Sequence, residues 1–310
     1  MSQTVKRQAG MATWRSLDQS RILVVGAGGA FGSGIAQELH ERGARVMGID
    51  RVSGPGIVIA DITDDQAVRA AVQQIIAELG GLDILINTAG IGLLQDAGAP
   101  PDESVTQTIE INLLGPWRVA GYALPALLEA RGRIINVASG LAFANVPFAA
   151  AYSASKRALC AWSDVLRLEY GSHIGVTTIY PGYIKTPIHT HAENARVSLE
   201  GLVREEPLSA MITTTVRACT GKPRRDVATT RQGQLEIGLA RHFPALVDGM
   251  ILRRIRQMVR QQRYVDAPMA AGMLRRRGMI ASGREETQEP SKHISTPNGF
   301  SPQASADNVQ

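Results

Sequence analysis

A chain of 310 residues, 44% of them hydrophobic and 20% charged, can bury a substantial core, which excludes wholesale disorder. Its two cysteines, Cys160 and Cys219, are too few for a disulfide framework and too isolated for a metal cluster, so a reducing compartment, the cytoplasm, is expected. The net charge of +5 is gathered late in the chain, where nine arginines stand against the single acid Asp266 between Arg253 and Arg284.

Met1–Ser20 is polar and basic with no apolar segment, so no signal peptide is expected, and residues 1–17 read as a flexible extension. No stretch approaches the roughly 20 apolar residues of a membrane span. The apolar run Arg21–Val25 predicts a buried strand, Phe31–Arg42 a helix closed by Gly43, and Arg45–Ile49 a second strand ending at Asp50. Strand, glycine turn, helix and strand make one βαβ unit, whose crossover requires parallel strands. The alternation continues with a strand over 56–60, a helix over 64–79, a strand over 82–86 and a helix from about 102 to 120. Strand 133–137, helix 151–170 and strand 175–180 follow. This pattern predicts an α/β fold of the doubly wound parallel type, a single domain over residues 18–265. Residues 183–207 read as a substrate lid. A helix over 208–220, a short strand over 226–230 and an amphipathic helix over 242–262 come next. Residues 266–310 are first basic, then polar, and read as a largely disordered tail.

The turn Gly26-Ala27-Gly28-Gly29-Ala30-Phe31-Gly32 lies between a strand and a helix. Glycines there let the backbone approach a pyrophosphate, and the helix N-terminus offers free N–H groups to the anion. Asp50, 24 residues past Gly26, can accept both hydroxyls of an adenosine ribose and would repel a 2′-phosphate, which favours NAD over NADP. Arg51 is the counter-indication, because a guanidinium could pair with that phosphate.

Tyr152 and Lys156 stand at i and i+4 on one helix, so an ammonium can lie beside a phenol and lower its pKa towards neutrality. Ser139 ends the strand that precedes this helix. Its hydroxyl can hold a carbonyl oxygen next to the phenol that exchanges a proton with it.

Taken together, residues from about 20 to 240 resemble the short-chain dehydrogenase/reductase family. The glycine turn resembles its TGxxxGxG, and Asn87-Thr88-Ala89-Gly90 resembles its NNAG. Asn112 matches its helix asparagine, and Ser139, Tyr152 and Lys156 match its catalytic serine and YxxxK pair. Pro181-Gly182 with Thr186 resembles the motif at the nicotinamide end, and Asp61-Ile62 the pair at the adenine. The resemblance implies a Rossmann fold binding NAD, with a cofactor site of Gly26, Gly28, Gly29, Phe31, Gly32, Asp50, Arg51, Asp61, Ile62, Asn87, Ala89, Gly90, Tyr152, Lys156, Pro181, Gly182 and Thr186. It implies that Tyr152 transfers a proton, Ser139 orients the substrate oxygen, Lys156 supports the tyrosine, and Asn112 supports a water-mediated proton path. It also implies a homodimer or homotetramer. Val25, Ala30 and Thr88 depart from the pattern, each at an expected cost of about 1 kcal/mol where a hydrogen bond is lost.

The expected function is interconversion of a secondary alcohol and a ketone with NAD(H), on an apolar substrate such as a steroid, retinoid or other lipid. The rivals are a redox-neutral epimerase or dehydratase with bound NAD, and a dinucleotide sensor without turnover. No metal site is expected, although His189, His191 and Glu193 cluster in the lid. The methionines from Met250 to Met279 are expected in core or subunit packing. The basic amphipathic helix over 242–262 is expected to pack on the protein itself, with a peripheral membrane contact as the alternative. Its arginines are not interleaved with aromatics, so no nucleic-acid binding is expected.

Overall fold

The computed structural model describes residues 16–189, 194, 197, 204–261, 263 and 267–280. Seven parallel strands form one sheet in the order β3-β2-β1-β4-β5-β6-β7. They are β1 (Arg21–Val25), β2 (Arg45–Asp50), β3 (Ile57–Ile59), β4 (Ile84–Asn87), β5 (Arg133–Val137), β6 (Gly175–Tyr180) and β7 (Asp226–Ala228). The chain winds outward from β1 to β3, then returns to place β4 on the other side of β1. That reversal opens a crevice at the carboxyl ends of β1 and β4, where ligands of such sheets bind.

The central strands β4, β5 and β6 are buried at every position, which explains their mainly apolar or small residues. One face is covered by α2 (Asp65–Leu79), α4 (Gly115–Ala130) and α5 (Ala150–Tyr170), through Val72, Ile75, Leu127 and Leu159. The other is covered by α1 (Ala30–Glu41) and α6 (Leu208–Ala218), through Ile35, Leu39 and Met211. Local chemistry sets the helix ends. Asp64 caps α2 by accepting from the N–H groups of Gln66 and Ala67, and Gly80 closes it in the left-handed region at φ 74°.

Four expectations need correction. The helix expected over 102–120 is α3 (Glu103–Ile109), a π-turn (Glu110–Leu114) and then α4, which runs to Ala130. Its apolar face continues through Ala123 and Leu127, and this burial carries the helix past Gly121 and Pro125. A helix not expected, α7 (Arg231–His242), follows β7 and is capped by Thr230. After α8 (Pro244–Arg260), α9 (Pro268–Arg276) buries Ala270 and Leu274 with Ile255 and Val259, so the packed body extends through residues assigned to the tail. At the other end, Leu17 is buried in the core beside α1, ahead of the expected boundary at 18.

Candidate active site

The glycine turn is shaped by close backbone contact. Gly26 adopts φ +80°, and a Cβ there would lie 2.8 Å from the Ala89 nitrogen. At Gly32 a Cβ would come within 2.1 Å of the Gly26 carbonyl oxygen, so the first turn of α1 sits directly on the turn that precedes it. Asp50 at the end of β2 accepts from the Gly28 N–H at 2.9 Å and from the Val52 N–H at 3.1 Å. Asp50 is thereby fastened to the glycine turn. Arg51 reaches Asp61 at 3.9 Å, an exposed pair of little energetic weight. Asp61 is held below its usual range by hydrogen bonds from Thr63 and by Arg51, against an opposing effect of burial. Ile62 packs against Gly115.

Thr88 stands where the resembled motif has asparagine, and its hydroxyl donates to the Val25 carbonyl at 2.7 Å. The substitution therefore keeps a link between β1 and β4. Asn87 is engaged inside the sheet, donating to Asn136 at 2.7 Å, while Asn136 donates to Ser163 of α5 at 2.9 Å. The Asn87 amide oxygen is buried without a hydrogen-bond partner.

Asn112 lies in the π-turn, a distortion that often marks functional positions. Its oxygen accepts from the Ile91 N–H at 2.8 Å, and its nitrogen donates to the Ile91 carbonyl and to Ser155, both at 3.0 Å. Ser155 in turn donates to the Tyr152 carbonyl at 2.8 Å. Asn112 thus couples the loop after β4, at Ile91, to the helix that carries the phenol.

That helix is α5, and the residue two before its start, Phe148, takes φ +65°, a strained conformation for a bulky side chain. Its carbonyl accepts from the Gln95 N–H, which ties the segment ahead of Tyr152 to the loop after β4. Lys156 is buried and donates to the Val137 carbonyl at 3.0 Å, with its nitrogen 5.9 Å from the centre of the Tyr152 ring. A Cβ at Gly90 would lie 3.2 Å from that nitrogen, so Gly90 leaves room for it. Ser139 caps a short helical turn through the Leu141 N–H, and Pro181 accepts from the Gly140 N–H at 2.8 Å.

The titration of the pair differs from the expectation. Burial pushes the Tyr152 phenol above its ordinary value, and hydrogen bonding to the Ser139 hydroxyl opposes that shift. Burial also lowers the Lys156 ammonium to about 8, which leaves it mostly charged at pH 7. Desolvation of the phenolate therefore outweighs the help of the Ser139 hydroxyl.

A cavity of ≈ 150 Å³ opens beside these groups. Ser139, Tyr152, Phe31, Pro181, Gly182 and Thr186 line it, together with the apolar Leu93, Leu94, Leu141, Ile184, Ile188 and Val197 and with Gln232, Gly233, Glu236 and Ile237 of α7. Sequence reading missed α7 and also Glu206, a buried carboxylate in the wall. Glu206 accepts from the Gly182 N–H at 3.0 Å, from Thr230 at 2.6 Å and from Thr229. Its position just before Pro207 was the one available signal, since the threonines lie 23 and 24 residues away. Arg241 fastens the far end of α7 to Tyr180 at 2.9 Å and to Asp226 at 3.1 Å. Of the lid histidines and their acid, His191 and Glu193 lie outside the described residues. Among the described residues no cluster of metal-binding side chains occurs.

A nucleotide crevice at the strand reversal and a Ser–Tyr–Lys set at its mouth define the class of α/β dinucleotide-fold oxidoreductases. The family model described as short chain dehydrogenase matches residues 20–196, and the chain belongs to that family. It is 37% identical to a 3-ketodihydrosphingosine reductase of Bacteroides thetaiotaomicron over 53% of this chain and 64% of that protein. It is 30% identical to dehydrogenase/reductase SDR family member 7B of Mus musculus, over 78% of this chain and 82% of that one. A short chain dehydrogenase from Burkholderia cenocepacia, solved with NADP, superposes with a TM-score of 0.66 at 27% identity, over 76% of this chain and 99% of its own. A 3-ketoacyl-(acyl-carrier-protein) reductase from Brucella melitensis, solved with NADH, superposes with a TM-score of 0.62 at 27% identity, over 70% and 99%.

Proposed function

We propose that the protein interconverts a secondary alcohol and a ketone with NAD(H), on an apolar substrate of lipid type. The observation that carries this reading is the apolar cavity lined by Tyr152 and Ser139, with Lys156 buried beside the Tyr152 ring. The crevice fits the cofactor, because Gly26 and Gly32 leave space that a Cβ would fill and Asp50 is fastened to the same turn. Residues Gly26 to Gly32 would hold its pyrophosphate at the start of α1, Asp50 its adenosine ribose, and Thr186 with Pro181-Gly182 its nicotinamide end. When bound, the nicotinamide supplies or accepts the hydride. In reduction Tyr152 gives its phenol proton to the carbonyl oxygen, which the Ser139 hydroxyl holds, and in oxidation it takes that proton back. Lys156 supplies positive charge near the phenolate, and Asn112 keeps the Tyr152 helix in register with Ile91.

Asp50 supports NAD, since its charge repels a 2′-phosphate, and the loose, exposed Arg51–Asp61 contact gives Arg51 no fixed place near such a phosphate. The relative acting on 3-ketodihydrosphingosine supports a lipid ketone as substrate. Exposed Trp117 of α4 and Leu168 and Val165 of α5 support association of copies through these helices. Cys160 and Cys219 are both free and buried, which supports a reducing compartment such as the cytoplasm. The test is nicotinamide absorbance with purified protein, NAD or NADP, and a panel of long-chain, steroid and retinoid secondary alcohols. Turnover with NAD is expected. Binding of NAD without turnover of any alcohol, or of any ketone with NADH, would contradict the reading.

A further inference from the structure

The helix α8 is divided along its length. Its second half is anchored in the protein by Ile255, Met258 and Val259, all buried. In its first two turns every residue from Pro244 to Met250 is exposed except the half-buried Val247. The exposed apolar side chains are large. Phe243 at the cap is 60% exposed, and Leu246 and Met250 are each 56% exposed. Spaced by three and four residues, they form one stripe on the helix surface. Arg253 and Arg254, three and four residues after Met250, extend the same side and are exposed. From Arg231 to Arg277 the sequence carries ten arginines and no lysine, against the three acids Glu236, Asp248 and Asp266. An apolar stripe continued by guanidinium groups is complementary to a surface that is apolar beneath and anionic above.

The stripe follows in the chain directly after a helix that lines the cavity. Leu235, 75% exposed, stands on α7 between Gln232 and Glu236, both of which line the pocket. Helix α7 leads directly into Phe243 and α8. Among the described residues no helix is long and apolar enough to cross a membrane. The available geometry is contact from one side, with α8 lying in the interface.

We propose that the outer face of α7 and α8, with Leu235, Phe243, Leu246 and Met250 as its apolar contacts and the neighbouring arginines as its charged ones, docks the protein on anionic phospholipid bilayers. The docking does not depend on the reaction proposed above. If that reading also holds, it keeps the enzyme at the surface where an apolar substrate resides.

The test is flotation of the full-length protein with vesicles of phosphatidylcholine alone and of phosphatidylcholine with phosphatidylserine. Co-flotation with the phosphatidylserine vesicles only, weakened by salt, is expected. The double variant Leu246→Ser/Met250→Ser should lose it, while retaining wild-type melting temperature and nicotinamide binding. Absence of flotation with anionic vesicles would overturn the proposal, as would equal flotation of the variant. Light scattering on both proteins supplies the remaining arm. A smaller particle mass for the variant would make this face a contact between copies and would also overturn it. Flotation is read without turnover, so its failure is distinct from failure of the oxidoreductase reading.

Discussion

The carboxylate of Glu206 accepts the backbone N–H of Gly182 at 3.0 Å, joining the segment before α6 to the Pro181-Gly182 loop, both of which line the cavity. The same carboxylate takes the hydroxyl of Thr230, the residue that caps α7, so the loop and the pocket helix share one anchor. Removing it leaves three partly buried hydrogen bonds, from Gly182, Thr229 and Thr230, without their acceptor.

Glu206→Ala should therefore raise the KM for the dinucleotide by roughly tenfold or more, in line with the weight of hydrogen bonds to a charged group. Glu206→Gln, which keeps an acceptor, should recover most of it. Cofactor titration and thermal melts together separate positioning from mere stability. A lower melting temperature with unchanged KM would assign Glu206 a structural role only.

Asp50 should govern the choice of dinucleotide. Replacing it with serine removes the charge that faces a 2′-phosphate, and the ratio of kcat/KM for NAD over NADP should fall roughly tenfold or more. A ratio unchanged in Asp50→Ser would place the discrimination elsewhere.

Lys156 should leave a signature in stability. Its ordinary value is 10.5 and burial lowers it to about 8 in the folded protein. Between these pH values the unfolded chain binds a proton that the folded chain does not, so stability rises with pH across the window. The full penalty is present below about pH 8, and the gap corresponds to roughly 3 kcal/mol. Urea denaturation of wild type and Lys156→Met should show the difference moving in favour of wild type by about 2–3 kcal/mol from pH 7.5 to 10.5. A flat difference would mean that the lysine is hydrated in the folded state.

At Gly32 even one methyl group meets the Gly26 carbonyl. Gly32→Ala should destabilise the protein by roughly 1–3 kcal/mol and weaken dinucleotide binding, because α1 must move off the turn. Wild-type affinity measured by NADH fluorescence in this variant would show that the turn does not bind the pyrophosphate.

Much of this architecture could be read in the sequence because its signals are local. Strands such as Ile84–Asn87 and Arg133–Val137 are short, mainly apolar runs, and Asp64 and Gly80 mark the ends of α2. Tyr152 and Lys156 share a helix face by spacing alone. What escaped was set by distant partners. Helix α7 contains Gly233 and Gly238 and few buried residues, so its pattern is weak, and it is held by Arg241 on Tyr180, 61 residues away. Helix α9 reads as a basic tail until Ala270 and Leu274 find Ile255 and Val259. The direction of the Tyr152 shift depended on burial by residues far along the chain, which spacing does not report.

The central claim is that Tyr152 moves the proton in a nicotinamide-linked reaction. It is tested most directly by comparing wild type with Tyr152→Phe on the best alcohol, measuring kcat by nicotinamide absorbance and cofactor affinity by fluorescence. A kcat reduced by roughly two to four orders of magnitude, with NADH affinity retained, is the predicted result. A variant that turns over at the wild-type rate would contradict the account, and the proton would have to come from another group in the cavity.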